Sequence, residues 1–433
     1  MSESEAARLI FGQSLSRNRV GRIGVELEWF LLPLDDPTRR ATREELASCA
    51  RSVAEPLPGG SRVSWEPGGQ LELSSAPWDS LRDCAEAVAG DLAVLRERAH
   101  TAGLMLFGAG LDARPPHFTV ALPRYQALRR HYAQFGSGGD TLLCNTASVQ
   151  VNVEAGDDSA GWRGRSRRWL IANSLGPVLM AMFANSPVPR VWDRQEETVL
   201  SGRQLLRLQT DRFRSGPLPC GGDPRGAWTR YALDTQVVAV HRPARDKGGP
   251  ACPFAEADAT ACGVGRVQEG PAAWAPAPAG LSFRRWLRGD GPREVRADDV
   301  FHHLKSLVPP VRACGHLELR MIDAQDADHW VVPLAVVAAL MDDETTSDAA
   351  VLLIAGRSLA PTRQDWIGAA RRGMADPEVA DLARAVMTLA LSGLRRLEVS
   401  AVVSEAVERF AEHHTLRGLA PAHLRWPYRT AVA

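Results

Sequence analysis

Four short segments of this sequence place acidic or amide side chains at alternate positions with aliphatic ones between them, and this constrains the fold more than any other feature. Successive strand side chains point to opposite faces. Gly24, Glu26 and Glu28 therefore face away from Val25, Leu27 and Trp29, and Gln70, Glu72 and Ser74 face away from Leu71 and Leu73. The pattern returns with Gln150, Asn152 and Glu154 against Val149, Val151 and Val153, and again with His316, Glu318 and Arg320 against Leu317, Leu319 and Met321. Just ahead of the second segment, Pro67-Gly68-Gly69 breaks the backbone and can re-aim Glu66. One acidic-faced strand is either solvated surface or one wall of a cation site, and residues 63–77 taken alone favour surface. Four in one chain predict an antiparallel sheet whose apolar back packs on helices and whose polar front lines a basin.

Such a front would collect Glu26, Glu28, Glu66, Glu72 and Glu318, with Gln70, Gln150 and Asn152 beside them. Carboxylates held this close raise one another's pKa unless cations intervene. An all-oxygen donor set selects Mg²⁺, with Mn²⁺ as the second choice, over zinc. A basin holding such ions with arginines nearby suits phosphoryl transfer from ATP, where catalysis is mostly positioning and charge neutralisation. Arg320, two residues from Glu318 on the same face, is placed to stabilise a transferring phosphoryl group. The competing reading leaves the four strands facing bulk water with no shared site.

The rest of the chain narrows the alternatives. The 51 basic and 51 acidic residues cancel, so neither nucleic acid nor an anionic membrane is an expected partner. Lysine occurs only at 247 and 305, and neither follows a Gly-x-x-x-x-Gly element, so arginines and carboxylate-held metal would have to manage any phosphates. Seven scattered cysteines without a Cys-x-x-Cys pair argue against a zinc site or a disulfide framework. No apolar run reaches membrane-span length and the opening lacks a signal-peptide core, which predicts a soluble cytoplasmic protein.

The 433 residues are expected to form one catalytic domain, with a sheet-containing core over 1–327 and a helical part over 328–433. Residues 243–280, loaded with Pro, Gly and Ala, read as a long loop. Residues 141–154 read as a strand, 228–240 as another strand or an irregular wall, and 161–184 as a single helix with Arg163 to Arg168 on a solvated face. His413-His414 reads as surface.

Gly24-Val25-Glu26-Leu27-Glu28, Glu66-Pro67-Gly68-Gly69-Gln70-Leu71-Glu72-Leu73-Ser74, Asn145 to Asn152 and Leu317-Glu318-Leu319-Arg320 resemble, in order and spacing, the signatures of plant-type and actinobacterial glutamate-cysteine ligases. The resemblance runs from about Gly21 into the helical C-terminal part and is greatest to the actinobacterial branch that serves ergothioneine synthesis. It implies an α+β fold with a glutamine-synthetase-like curved antiparallel sheet, a funnel backed by helices. It also implies that ATP phosphorylates the γ-carboxylate of L-glutamate and that the amine of L-cysteine attacks the resulting γ-glutamyl phosphate. Glu26, Glu28, Glu66, Glu72 and Glu318 would then be metal ligands, Gln150 and Asn152 would sit at the metal or nucleotide edge, and Arg320 would act on the phosphoryl group. Arg214, in Asp211-Arg212-Phe213-Arg214-Ser215-Gly216, would grip a glutamate carboxylate, although Arg212 and Ser215 depart from the family's Asp-Pro-x-Arg-Thr-Gly element. Gln70 would contact substrate. Two other readings stay open: ligation of glutamate to a different amine, and a silent metal- or nucleotide-binding relic of the fold.

Overall fold

The computed structural model of the chain describes residues 1–16, 20–120, 122–192, 195–241 and 274–423. Seven strands form one antiparallel sheet: β1 (Ile23–Pro33), β2 (Arg62–Trp65), β3 (Leu71–Ser74), β4 (Leu104–Phe107), β5 (Ser148–Val153), β6 (Val311–Ala313) and β7 (Leu317–Asp323). Their order is β6-β7-β5-β1-β3-β2, and β4 pairs with the far end of β1. The four alternating segments supply β1, β3, β5 and β7, which are adjacent in the sheet. Val25, Leu27, Leu71, Leu73, Val149, Val151, Leu317 and Leu319 are all buried on the back. Each such side chain contributes roughly 1.5–3 kcal/mol when fully buried. A slip of one residue would drive Glu26 and Glu28 into that core, so the pairing register is strongly specified.

Helices cover the back. Val331–Asp342, apolar all round and almost wholly buried, packs against β5, and Gly176–Met182 packs against β7. Leu81–Thr101, capped by Ser80 Oγ accepting from Asp83 N, lies against β1 and β4. The α+β architecture with helices behind an antiparallel sheet is as expected, and 331–413 is helical apart from its connections. Among the described residues no helix is long and apolar enough to cross a membrane.

Several local expectations need correction. The strand expected over 141–154 begins only at Ser148, because Gly138–Cys144 is a short helix. The strand expected over 228–240 is mostly the helix Pro224–Asp234: Asp223 caps it by accepting from Arg225 N, and Pro224 is pre-set for a first helical turn. The single helix over 161–184 is two, Arg165–Ser174 and Gly176–Met182, with Pro177 in the opening turn of the second. Its arginine run is solvated only in part: Arg163 is exposed, whereas Arg165 and Arg168 are buried. Arg168 is fully buried, donating to the Glu154 carbonyl at 2.8 Å and pairing with Asp342 at 2.9 Å. Of the histidine pair, His413 is exposed as expected, while His414 is buried with its ring tilted against Phe410. Most of the loop expected over 243–280 lies outside the described residues, as do Cys252 and Cys262; its last part includes the strand Trp274–Pro276, which pairs with Ala239–His241.

Candidate active site

The strand register brings the polar positions together. Glu28 lies directly opposite Glu72, Glu26 opposite Gln150, and Glu318 opposite both Asn152 and Arg312. Like charges directly across an antiparallel pair are destabilising, so the Glu28–Glu72 pairing is not explained by sheet stability. Glu66 joins them from the β2–β3 turn, where Gly69 N donates to Glu66 O and Glu66 N to Gln70 O, each at 2.9 Å. Gly69 takes a φ of +88°, and a Cβ on Gly68 would fall 2.0 Å from the Cys144 carbonyl oxygen, so both positions require glycine.

Glu26, Glu28, Glu66 and Glu72 open onto one cavity of about 470 Å³, with Ser64, Gln150 and the cations Arg124, Arg203, Arg207, Arg312, Arg320 and Lys305 in the same lining. Burial, then the charges of Glu318 and Glu72, pushes the Glu26 carboxyl up to about 7. Burial and the charges of Glu72 and Glu28 push Glu66 up to about 8, and burial with Glu72 raises Glu28. Glu72 accepts from Ser64 Oγ at 2.6 Å. Glu318 behaves oppositely. Burial alone would raise it, but Arg320 and Arg312 outweigh burial and hold it at about 2.

Glu318 is buried and does not itself line the cavity; it accepts from Arg312 Nε at 2.6 Å and from Arg320 Nη1. Arg320 donates with the same nitrogen to Gln150 Oε1, while Gln150 Nε2 donates to Glu28 Oε1 at 2.8 Å. Arg320 sits in an irregularity of the β5–β7 pairing between Leu319 and Ile322, a device that re-aims a side chain out of strict alternation. Asn152 opens onto a second cavity of about 360 Å³ with His316, Glu154 and Gly24; Glu26 lines both.

Besides Glu318 and Asn152, two more expected residues do not line the basin. Gln70 is buried with its amide consumed, Oε1 accepting from Gly68 N at 2.9 Å and Nε2 donating to the Thr146 carbonyl at 2.8 Å. Arg214 is fully buried and donates to Asp211 Oδ2 at 3.1 Å, Ser306 O at 2.8 Å and the Gln236 carbonyl at 2.7 Å. Its fork is spent inside the protein. Ser64, Arg124, Arg203, Arg207, Arg312 and Lys305 line the cavity without being singled out by the sequence. Ser64 shares the alternation of Glu66, and Arg203, Arg207 and Asp211 share an i, i+4, i+8 face of the helix Gly202–Thr210 and its end, so both were discoverable by period. Arg124 and Lys305 carry no such signal.

The donor chemistry fits a hard divalent cation. Several carboxyl groups converge on one cavity, three of them held above the usual range by burial and mutual repulsion, and all offer oxygen.

Residues 22–422 match the family model described as glutamate-cysteine ligase family 2. The chain is 34% identical over 380 residues to the glutamate–cysteine ligase EgtA of Mycolicibacterium smegmatis, covering 87% of this chain and 81% of that protein. To the EgtA of Mycobacterium tuberculosis it is 33% identical over 428 residues, 97% of this chain and 88% of that protein. To the chloroplastic glutamate–cysteine ligase A of Oryza sativa subsp. japonica it is 26% identical over 385 residues, covering 81% and 68%.

Proposed function

Because this chain belongs to glutamate-cysteine ligase family 2, we propose that its basin joins the γ-carboxylate of L-glutamate to the amine of L-cysteine with ATP, through γ-glutamyl phosphate. The observation that carries this reading is the convergence of Glu26, Glu28, Glu66 and Glu72 with Arg320 on one cavity, in a chain whose residues 22–422 match the family; the electrostatics inside that constellation agree with it. Glu26 and Glu66 are raised to about 7 and 8, whereas Glu318 is held at about 2 by Arg312 and Arg320. The raised group wants added positive charge, and the paired group anchors a guanidinium at the cavity.

Glu26, Glu28, Glu66 and Glu72 would hold Mg²⁺, with Glu318 as a further ligand if a guanidinium leaves one of its oxygens. Such ions, when bound, neutralise phosphate charge and orient the transferring group. Arg320, steadied by Gln150 and Glu318, is aimed at the developing phosphoryl charge. With Arg214 spent internally, Arg207, Arg124 and Lys305 are the cavity cations left for the carboxylates of glutamate and cysteine. Burial and the neighbouring Arg203 and Arg320 depress Arg207, which an incoming carboxylate would relieve. Gln150 and Asn152 would serve the metal or nucleotide edge. Identity of 33–34% to the two mycobacterial EgtA proteins supports supply of γ-glutamylcysteine to ergothioneine synthesis as the pathway.

The test is phosphate release from ATP together with mass detection of γ-glutamylcysteine. Both should require Mg²⁺, glutamate and cysteine at once. Turnover with 2-aminobutyrate but not cysteine would move the acceptor to another amine. Nucleotide binding by calorimetry without phosphate release under any acceptor would reduce the protein to a silent binder.

A further inference from the structure

The strand pair β6–β7 carries a donor set unlike the rest of the basin. Gly315, at a φ of +88°, turns the chain between the strands, and Cys314 N donates to His316 O at 3.1 Å. The turn gathers Cys314, His316 and Glu318. Cys314 Sγ lies 3.4 Å from His316 Nε2 and 3.4 Å from Glu318 Oε2, and the three ligand atoms all fall within 4.8 Å of one another. A tetrahedral zinc centre with sulfur at ~2.3 Å and imidazole nitrogen at ~2.0 Å has a sulfur–nitrogen edge of about 3.5 Å. The observed spacing matches that edge without rearrangement. Sulfur, imidazole nitrogen and one carboxylate oxygen are the ligands that zinc prefers and magnesium does not.

We propose that Cys314, His316 and Glu318 form a site for a thiophilic divalent cation of the zinc class, and that filling it inhibits the basin by drawing on Glu318. The binding half stands on this geometry alone; the inhibitory half rests on the ligase reading above. Cys314 is exposed, and His316 borders the 360 Å³ cavity shared with Asn152 and Glu26, so an ion has two ways in. Asn152 Oδ1, 2.9 Å from His316 Nε2, is near enough to offer a fourth oxygen. On binding, the metal replaces the thiol proton, which passes to water, and takes the Nε2 lone pair of His316, whose ring proton shifts from Nε2 to Nδ1. Thiolate and carboxylate then balance the dication, so neighbouring Arg312 faces no net positive charge. The metal does compete with Arg312, whose Nε donates to the same Glu318 Oε2 at 2.6 Å. Loosening that bond unsettles the Glu318 carboxylate on which Arg320 rests.

The experiment titrates Co²⁺ into the full-length, chelator-treated protein and follows thiolate-to-cobalt charge-transfer absorption, with Zn²⁺ as the displacing ion. The wild type should develop the band at one equivalent and lose it to Zn²⁺. Cys314→Ser should show no such band, and both Cys314→Ser and His316→Gln should bind Zn²⁺ at least about tenfold more weakly, the loss that even an outer-shell change brings. At fixed Mg²⁺, Zn²⁺ should inhibit phosphate release by the wild type, and Cys314→Ser should need at least about tenfold more. No band in the wild type, or an equal band in Cys314→Ser, overturns the site. A site present but equal zinc inhibition of both proteins overturns the inhibitory role. If the protein releases no phosphate under any condition, the ligase reading fails while the cobalt titration still decides the site.

Discussion

Replacing Glu66 by glutamine isolates the electrostatic cost of the acid cluster. Its folded carboxyl is raised from 4.5 to about 8 by burial and by Glu72 and Glu28. A raised carboxyl binds its proton more tightly in the folded chain, so its stabilising contribution is complete below pH 4.5 and disappears as pH rises through about 8. The full displacement corresponds to roughly 5 kcal/mol. Because Glu72 and Glu28 share in the repulsion, about half, some 2–3 kcal/mol, is the expected gain on removing Glu66 alone. With 433 residues, the entropy of unfolding is about 0.9 kcal/mol/K, which makes that gain roughly 2–4 °C in Tm. Differential scanning calorimetry of the metal-free proteins should therefore show Glu66→Gln melting higher than wild type at pH 9 and within about 1 °C of it at pH 5, where glutamine mimics the protonated acid. Added Mg²⁺ at pH 9 should raise the wild-type Tm more than that of the variant. A variant that melts lower than wild type at pH 9 would refute the argument that the cluster is uncompensated.

Other substitutions separate internal scaffolding from the cavity. Arg214→Ala leaves buried Asp211 without its guanidinium and should cost about 3–5 kcal/mol in denaturant unfolding; unchanged stability with a raised KM for glutamate would restore the carboxylate-gripping role. Arg207→Gln should keep or raise Tm, since burial already disfavours its charge, while raising the KM for an amino-acid substrate by about tenfold or more in steady-state kinetics. Gly68→Ala places a Cβ 2.0 Å from the Cys144 carbonyl and should destabilise by about 1–3 kcal/mol with loss of activity, read by urea melts and phosphate release. Glu318, held at about 2, contributes stability above its unfolded value that should vanish as pH falls toward 2, a loss that Glu318→Gln would abolish in acid titration followed by circular dichroism.

The front of the sheet was legible because strand alternation is local. Once Glu26 and Glu28 alternate with Val25, Leu27 and Trp29, burying one set turns the other outward, and the same holds for β3, β5 and β7. Helices and strands were misread where capping or a glycine-led turn overrode residue type, as at Asp223-Pro224 and Gly138. The Glu-Pro-Gly-Gly-Gln element was legible as a turn. That its glutamine spends its amide on Gly68 and Thr146 was not, because Thr146 is distant in sequence.

By itself, then, the sequence determined which faces are acidic and which apolar, and hence which side of each strand turns away from the core. Only the tertiary structure decided the strand order that sets Glu28 against Glu72, and which arginines reach the cavity. An arginine's long side chain has no preferred direction of its own; it goes where partners from other elements satisfy its fork. Asp211, Ser306 and Gln236 keep Arg214 inside, while Glu318 and Gln150 hold Arg320 at the cavity.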